Sequence, residues 1–127
     1  MSGLLLDTHI FLWWAEDPKK LPSQVNDLIN RSFEVYFSSV VAWEIEIKQA
    51  KGKLPGDPFD WSSVITDKKL IPLDVSLEHI TTLRHLPLLH HDPFDRLLLA
   101  QAKSENLQLV THDKAIIAYP DIDILKV

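Results

Sequence analysis

The apolar residues of this chain fall into two patterns that alternate along its length. Short, nearly continuous apolar runs, rather than runs in which every second residue is polar, are typical of strands buried on both faces of a sheet. We predict five such strands, at Gly3–Leu6, Val35–Phe37, Leu70–Val75, Leu107–Thr111 and Ile122–Val127.

Between these runs, apolar residues recur at helical spacing, and capping residues and prolines mark where helices begin and end. Thr8 is predicted to cap the first helix, and Ser38 or Ser39 to cap the third, which runs to about Lys51. The other helices are predicted around Val25–Ile29, at Phe59–Lys68, from Ser76 to before Pro87, from Pro93 to about Glu105, and at Asp113–Ala118.

This alternation predicts an α/β fold, a three-layer α/β/α sandwich with a central, mostly parallel sheet. The length of 127 residues is that of one domain, so we expect residues 1–127 to form a single domain. In open parallel sheets, ligands bind beyond the carboxyl ends of the strands, where the strand order reverses. The residues just after each strand are therefore the first candidates for function.

Composition excludes several classes of function. The chain has no cysteine, which excludes disulfide scaffolds, thiolate metal sites and a cysteine nucleophile. Its net charge of −5 means that any nucleic acid is bound by a local basic patch and not by bulk charge. No apolar segment reaches the roughly 18–20 residues of a membrane span, and the first residues lack the basic region of a signal peptide. A cytoplasmic protein is expected.

Four acidic residues lie close to the ends of predicted elements. Asp7 ends the first strand, Asp113 follows the fourth, Asp95 lies in the first turn of a helix, and Glu44 lies one turn into the third helix. Each has a structural explanation as well, as a helix cap, as a favourable charge at a helix start or as an ion pair with a lysine four residues on. A parallel sheet could gather Asp7, Asp95 and Asp113 at one edge, and Glu44 could join them from the flank of its helix.

The tetrapeptide Asp-Pro-Phe-Asp occurs twice, at Asp57–Asp60 and at Asp92–Asp95, so the motif alone does not indicate catalysis. The second copy opens an apolar helix that is suited to packing on the sheet, whereas the first follows a loop rich in glycine and proline. We therefore assign function to Asp95 and a capping role to Asp60, and we expect Asp92 to be a cap.

Carboxylates that meet at one site need a cation. Two of them ~4 Å apart repel by about 1 kcal/mol in water and by about 4 kcal/mol at an effective dielectric constant near 20. Sites made of carboxylate oxygens suit Mg²⁺ or Mn²⁺, and Mg²⁺ usually shares its ligand shell with a substrate phosphate. Convergence of the four acids would therefore indicate phosphodiester chemistry.

Four segments of the sequence resemble the PIN-domain ribonucleases, and specifically the VapC-type toxins of toxin–antitoxin pairs. The resemblance runs from the first strand almost to the C-terminus, and the four segments keep the family's order and spacing. They are Leu5–His9, Trp43–Ile45 with Lys48 and Gly52–Leu54, His91–Leu98 with Ala100–Ala102, and Leu109–Thr111 with Asp113.

The resemblance implies a PIN-like domain and an endoribonuclease that depends on Mg²⁺ or Mn²⁺. Asp7, Glu44, Asp95 and Asp113 match the family's acidic quartet, which would act as catalytic residues and as metal ligands. Thr111 matches a hydroxyl residue that supports this quartet. The resemblance also implies an RNA substrate, a cognate antitoxin protein and a homodimer, with no membrane association.

Several other residues have competing interpretations. Lys48 either contacts RNA phosphate beside the acidic site or belongs to a solvated helix end. Arg96 either pairs with a neighbouring carboxylate or contacts RNA. Trp13 and Trp14 are large and adjacent, which favours an exposed interface over partial burial.

Two other functions and one other kind of site are alternatives to the nuclease. A catalytically silent interaction module would keep the same fold without hydrolysing RNA. A phosphoacceptor receiver domain is also a small α/β sandwich. Receivers, however, place paired acids after the first strand and a lysine after the fifth, and this sequence lacks that pattern. Metal ligation by His90 or His91 is disfavoured, because a zinc site would need further ligands at defined spacing.

Overall fold

The computed structural model describes residues 3–127 and is built around one five-stranded sheet. Each pair of neighbouring strands is parallel, and the strand order is β3-β2-β1-β4-β5. The predicted α/β fold with a mostly parallel sheet is confirmed. The strands are β1 (Leu4–Leu6), β2 (Val35–Ser38), β3 (Ile71–Leu73), β4 (Gln108–Thr111) and β5 (Ile124–Lys126).

Helices occupy the segments between the strands, as the sequence pattern predicts. Within residues 3–127, none of them is long and apolar enough to cross a membrane. Short 3-10 helices at Pro18–Lys20 and Leu83–His85 extend the turns after the first and fifth α-helices. The α-helices are α1 (Thr8–Glu16), α2 (Ser23–Arg31), α3 (Ser39–Ala50), α4 (Trp61–Asp67), α5 (Leu77–Thr82), α6 (Pro93–Glu105) and α7 (Lys114–Ile117).

The cap of α1 differs from the prediction. Asp7, and not Thr8, is the N-cap, because its side chain accepts a hydrogen bond of 2.9 Å from the backbone N–H of Ile10. Thr8 is already the first helical residue, which frees its hydroxyl for a contact with another element. Both residue types are good caps, so the sequence alone favoured the wrong one of two neighbours.

The other cap assignments hold. Asp60 caps α4 and Asp92 caps α6, each by accepting hydrogen bonds from backbone N–H groups in the first turn. Of the two serines before α3, Ser38 is the cap. Ser76 caps α5.

The core lies against the middle of the sheet. All three residues of β1 are buried, and Leu98 and Leu99 of α6 have no exposed surface. Helix α6 packs on β4 and also contacts α3, so the apolar run after the second Asp-Pro-Phe-Asp is buried as predicted. The same core therefore fixes β1, β4 and α6, each of which begins or ends beside an acidic residue.

The strand order reverses at β1. The chain proceeds from β1 to β2 and β3 on one side and then crosses to β4 and β5 on the other. The register that pairs Leu6 with Val110 brings the carboxyl ends of β1 and β4 side by side. This is the topological switch point of the sheet, where open α/β folds bind their ligands.

The same strand order excludes the receiver alternative. Flavodoxin-like receivers have the order 2-1-3-4-5, in which the first strand lies between the second and third. Here β1 lies between β2 and β4. The crevice at the switch point is consequently lined by the segments that follow β1 and β4.

The predicted exposure of the two adjacent tryptophans is wrong, because both are partly buried. The Trp14 indole N–H donates to the Asn30 side chain at 2.9 Å, and the Lys68 ammonium lies 5.0 Å from its ring centroid. The Trp13 ring lies 5.5 Å from that of His112. Contacts with neighbouring side chains, rather than an exposed interface, therefore explain the positions of both tryptophans.

Candidate active site

Asp7 directly follows the last residue of β1, and it is buried at the switch point of the sheet. Only 4% of the residue is exposed, and its backbone N–H donates to the Val110 carbonyl at 3.1 Å, which ties it to β4. One carboxylate oxygen caps α1, and the other accepts a hydrogen bond from the Thr111 hydroxyl. Burial raises the pKa of Asp7, while these hydrogen bonds act in the opposite direction.

Thr111, the last residue of β4, connects two of the acids. Its hydroxyl donates to Asp7 and accepts a hydrogen bond of 3.1 Å from the backbone N–H of Asp113. The side chain is fully buried, so this hydroxyl fixes the relative positions of both acids. Its contacts fit the supporting position expected for it from the sequence.

Glu44 reaches the site from α3. Its Oε1 accepts a hydrogen bond of 2.5 Å from the Thr8 hydroxyl, and its Oε2 lies 3.1 Å from the Lys48 ammonium. The Glu44 side chain is 12% exposed, compared with 33% for Lys48. Lys48 thus forms the ion pair with Glu44 and still has a solvent-facing surface beside the site.

Asp95 lies in the first turn of α6, where its backbone N–H donates to the capping Asp92 side chain at 3.1 Å. Its pKa is raised from the ordinary value of 3.8 to about 6, mainly because the carboxyl group is buried. The negative charges of Asp92, Asp113 and Glu44 contribute to this increase, whereas the hydrogen bond with His90 opposes it. Asp95 is therefore close enough to Glu44 and Asp113 to be repelled by both.

Asp113 is the most accessible of the four acids, with 41% of its side chain exposed. One oxygen caps α7 through a bond of 2.8 Å from the backbone N–H of Ala115. The charge of Asp113 raises the pKa of Asp7 as well as that of Asp95. Because it influences both, Asp113 lies between the β1 side and the α6 side of the site.

The structure brings all four predicted acids together at one edge of the sheet. The four acids are connected by hydrogen bonds and ion-pair contacts, and at one point by the covalent link between the adjacent residues Asp7 and Thr8. In order, the connected residues are Glu44, Thr8, Asp7, Thr111, Asp113, His90 and Asp95. The convergence on which the sequence argument depended is present.

His90 is part of this site, although the sequence argument did not place it there. Its Nε2 lies 2.8 Å from an oxygen of Asp95 and 3.9 Å from an oxygen of Asp113. The residue belongs to an irregular loop, where no periodicity indicates which side chains point inward. The available signal was its position five residues before Asp95, at the approach to the helix that carries this acid.

Arg96 does not form the carboxylate pair that one of its two interpretations expected, among the residues that the structure describes. Its guanidinium donates to the carbonyls of Pro87 and Leu83, at 2.9 and 3.3 Å, and to the Tyr119 hydroxyl at 2.9 Å. These bonds hold the loop before α6, and among them there is none to a carboxylate. Arg96 therefore fixes the segment that carries His90.

The first copy of Asp-Pro-Phe-Asp provides an internal comparison. Asp60 is exposed and its side chain accepts only the capping bond from the Ser63 backbone N–H, at 3.3 Å. The capping role assigned to Asp60 is confirmed. Identical tetrapeptides thus occupy two different environments, and only Asp95 faces other acids.

A groove of about 490 Å³ adjoins the acidic site. Lys48, which pairs with Glu44, also lines this groove, together with Lys53, Trp13 and Phe59. The groove, which Glu16 and Asp17 also line, thus brings lysines and aromatic surface directly beside the carboxylates.

The donors of the site fit a divalent cation. One ligand atom each from His90, Asp95 and Asp113 lies within 4.8 Å of the other two. The raised pKa values of Asp7 and Asp95 reflect carboxylates that are buried close to like charges. A divalent ion bound by carboxylate oxygens removes this repulsion.

The raised pKa of Asp95 predicts an unusual dependence of stability on pH. Because its pKa is about 6 in the folded protein and 3.8 ordinarily, folded Asp95 holds its proton more tightly. The free energy of unfolding must then fall as the pH rises from about 4 to above 6. In Asp95→Asn this component is absent, so the variant should gain about 1–2 kcal/mol relative to the wild type between pH 4.5 and 7.5.

Urea unfolding of both proteins in chelator, at those two pH values, measures this difference. Working in chelator keeps bound metal from stabilising the wild type alone. Parallel pH profiles for the two proteins would contradict the assigned pKa of Asp95.

Comparison with known proteins agrees with this architecture. A family model described as PIN domain matches residues 4–122. Ribonuclease VapC22 of Mycobacterium tuberculosis (strain ATCC 25618 / H37Rv) is 25% identical over 121 residues, which cover 91% of each chain.

Solved structures resemble the fold over nearly its full length. The crystal structure of VapBC2 from Rickettsia felis bound to a DNA fragment from their promoter contains a chain with a TM-score of 0.71 and 21% identity, covering 98% of both chains. A chain of DNA-bound VapBC from Salmonella typhimurium has a TM-score of 0.70 and 18% identity, covering 99% of this chain and 98% of that one.

These likenesses define an α/β protein of PIN-like architecture with acids at its switch point. The family model extends from β1 to just before β5, and so includes each of the four acids. The chain belongs to the PIN-domain family.

Proposed function

We propose that this protein is a divalent-metal-dependent endoribonuclease and the toxin of a toxin–antitoxin pair. The observation that carries the proposal is the convergence of Asp7, Glu44, Asp95 and Asp113 at the switch point. Membership of the PIN-domain family and a relative named as a ribonuclease support the same activity.

The four acids would hold Mg²⁺ or Mn²⁺. When bound, such an ion supplies a Lewis acid that lowers the pKa of water and offsets the charge that develops on the phosphate oxygens. Asp113 and Asp95 lie toward solvent, with 41% and 18% of their side chains exposed, whereas Asp7 is buried beneath them. The substrate phosphate therefore approaches from the side of Asp113 and Asp95.

Neighbouring hydroxyl groups orient the buried acids. Thr111 donates to Asp7 and Thr8 donates to Glu44, so each carboxylate is kept in one orientation. Lys48 adds a positive charge on the outer side of Glu44. Such preorganised polar groups need not rearrange during the reaction.

The adjoining groove is suited to single-stranded RNA. Lys48 and Lys53 would contact phosphates, and Trp13 and Phe59 offer aromatic surface to bases. Sequence-tolerant binding to single strands typically combines these two kinds of contact. A local patch of this kind is what a chain with a net charge of −5 requires.

Three features of the biological setting belong to the same proposal. The structural neighbours are VapBC assemblies, which supports pairing of this chain with a cognate antitoxin protein. We further propose a homodimer and a cytoplasmic location, because RNA and an antitoxin are both met there. The whole chain would act as a single PIN-like domain.

Incubation of the purified protein with end-labelled single-stranded RNA in Mn²⁺ or Mg²⁺ tests the activity. Internal cleavage into discrete fragments is expected. Intact RNA in the presence of bound Mn²⁺, over a panel of unrelated RNA sequences, would refute the nuclease and favour the silent interaction module.

A further inference from the structure

In the loop before α6, two leucines are exposed while a histidine is mostly buried, which is the reverse of the usual preference of these residue types. Leu88 and Leu89 are 75% and 53% exposed, whereas the side chain of the next residue, His90, is only 21% exposed. Burying a leucine in place of the imidazole would remove more apolar surface from water and would therefore be more favourable. Hydrophobic burial therefore does not explain why His90 is the residue that points inward.

Hydrogen bonds to the loop's backbone hold His90 in this position. Its backbone N–H donates to the Tyr119 hydroxyl at 2.9 Å, and the same hydroxyl accepts a bond of 2.9 Å from Arg96. Arg96 also holds the carbonyl of Pro87, three residues earlier in the loop. The loop is thus anchored to α6 and to the C-terminal segment, with its imidazole directed at the acids.

The imidazole faces two carboxylates at separations typical of metal ligands. Ligands about 2.1 Å from an octahedrally bound ion lie about 3.0 Å apart when adjacent and about 4.2 Å apart when opposite. The distances from His90 Nε2 to Asp95 and Asp113 are 2.8 and 3.9 Å. An ion between these three atoms needs only small adjustments of the side chains.

We propose that His90 is a ligand of the divalent ion, binding through Nε2 beside Asp95 and Asp113. This inference rests on the proposed metal-dependent function and adds a nitrogen ligand to its four acids. Imidazole binds first-row transition ions well, whereas Mg²⁺ favours oxygen ligands. His90 therefore makes the site prefer Mn²⁺ to Mg²⁺.

A competing role gives a different spectrum. If His90 only forms a hydrogen bond to Asp95, it orients a carboxylate that binds the ion without contacting the ion itself. Removing the imidazole would then lower Mn²⁺ affinity as well. The two roles are therefore separated by whether an imidazole nitrogen is bound directly to Mn²⁺.

Pulsed electron paramagnetic resonance of the full-length protein loaded with Mn²⁺ alone tests the ligand directly. The expected spectrum contains a ¹⁴N coupling from a directly bound imidazole in the wild type and in His91→Asn, and lacks it in His90→Asn. Mn²⁺ affinity should fall by at least about tenfold in His90→Asn, with a smaller change for Mg²⁺. His91→Asn is the matched control, because it removes the adjacent, exposed histidine.

The wild-type spectrum alone can overturn the ligand role, even if His90→Asn fails to fold. Bound Mn²⁺ without a ¹⁴N coupling, or affinity that is unchanged or increased in His90→Asn, would overturn the ligand role. RNA cleavage by the same preparation would in that case leave the proposed function intact. Protein that binds no Mn²⁺ and cuts no RNA would overturn both.

Discussion

Asp95→Asn is expected to lower the rate of RNA cleavage by at least about a thousandfold, whereas Asp60→Asn leaves it unchanged. The two aspartates end identical tetrapeptides, but Asp95 faces His90 and two other acids while Asp60 only caps α4. Asparagine has nearly the same shape as aspartate and lacks the charge. The comparison therefore isolates the effect of one carboxylate at the site.

Both variants should fold. Asparagine is a good N-cap, so α4 keeps its cap in Asp60→Asn. Asp95→Asn removes a carboxylate that is repelled by its neighbours, and it should be as stable as the wild type or more so at neutral pH. Cleavage by Asp95→Asn at the wild-type rate, in a sample free of host nucleases, would show that Asp95 is not catalytic.

Removal of divalent metal is expected to abolish cleavage, and addition of Mn²⁺ or Mg²⁺ to restore it. Among the residues that the structure describes, the ion-pair partners of the four acids are Lys48 on Glu44 and, when protonated, His90 on Asp95 and Asp113. His9 lies close enough to Asp7 for its positive charge to lower the pKa of that carboxyl group. None of these groups can act as a Lewis acid that activates water, as a divalent ion bound by carboxylates does. The loss should be as large as that in Asp95→Asn.

The assay compares untreated protein, protein treated with EDTA, and treated protein to which each ion is returned. Circular dichroism of the treated protein serves as the control, because the core of leucines and valines contains no metal and should persist. Cleavage that continues undiminished in excess chelator would refute a metal-dependent mechanism.

The sequence predicts the strands that are marked by apolar runs and the helix ends that are marked by capping residues and prolines. The apolar run before Asp7 is β1, and the Asp92–Pro93 pair marks the start of α6 to the residue. Such signals are local, because a buried strand needs apolar residues and a helix start needs a cap. The sheet could be predicted to be parallel, but the order of its strands could not, because the hydrophobic pattern does not specify which strands are neighbours.

The positions of the four acids were predicted, those of Asp7 and Asp113 because parallel strands bring their carboxyl ends to one edge, and those of Glu44 and Asp95, which lie on helices, with the help of the family resemblance. The contacts that hold them were not. Thr8 bonds to Glu44 across 36 positions of sequence and Thr111 bonds to Asp7 across 104, and nothing local indicates either pair. Thr8 was instead assigned to the cap, which Asp7 forms.

His90 illustrates a further limit of sequence patterns. Loops have no periodicity, and the preference of leucine for burial predicts the opposite orientation of residues 88–90. Its direction depends on Tyr119 and Arg96, which lie 29 positions and 6 positions away in the sequence. A side chain held by such long-range hydrogen bonds can only be found in the folded structure.

Anomalous diffraction at the manganese edge, from crystals of the wild-type protein soaked in Mn²⁺, tests the central claim most directly. We predict one or two strong peaks at the carboxyl ends of β1 and β4, within ligand distance of oxygens from Asp7, Asp95 or Asp113. Peaks confined to other surfaces, with these carboxylates unliganded in protein that cleaves RNA, would contradict the account.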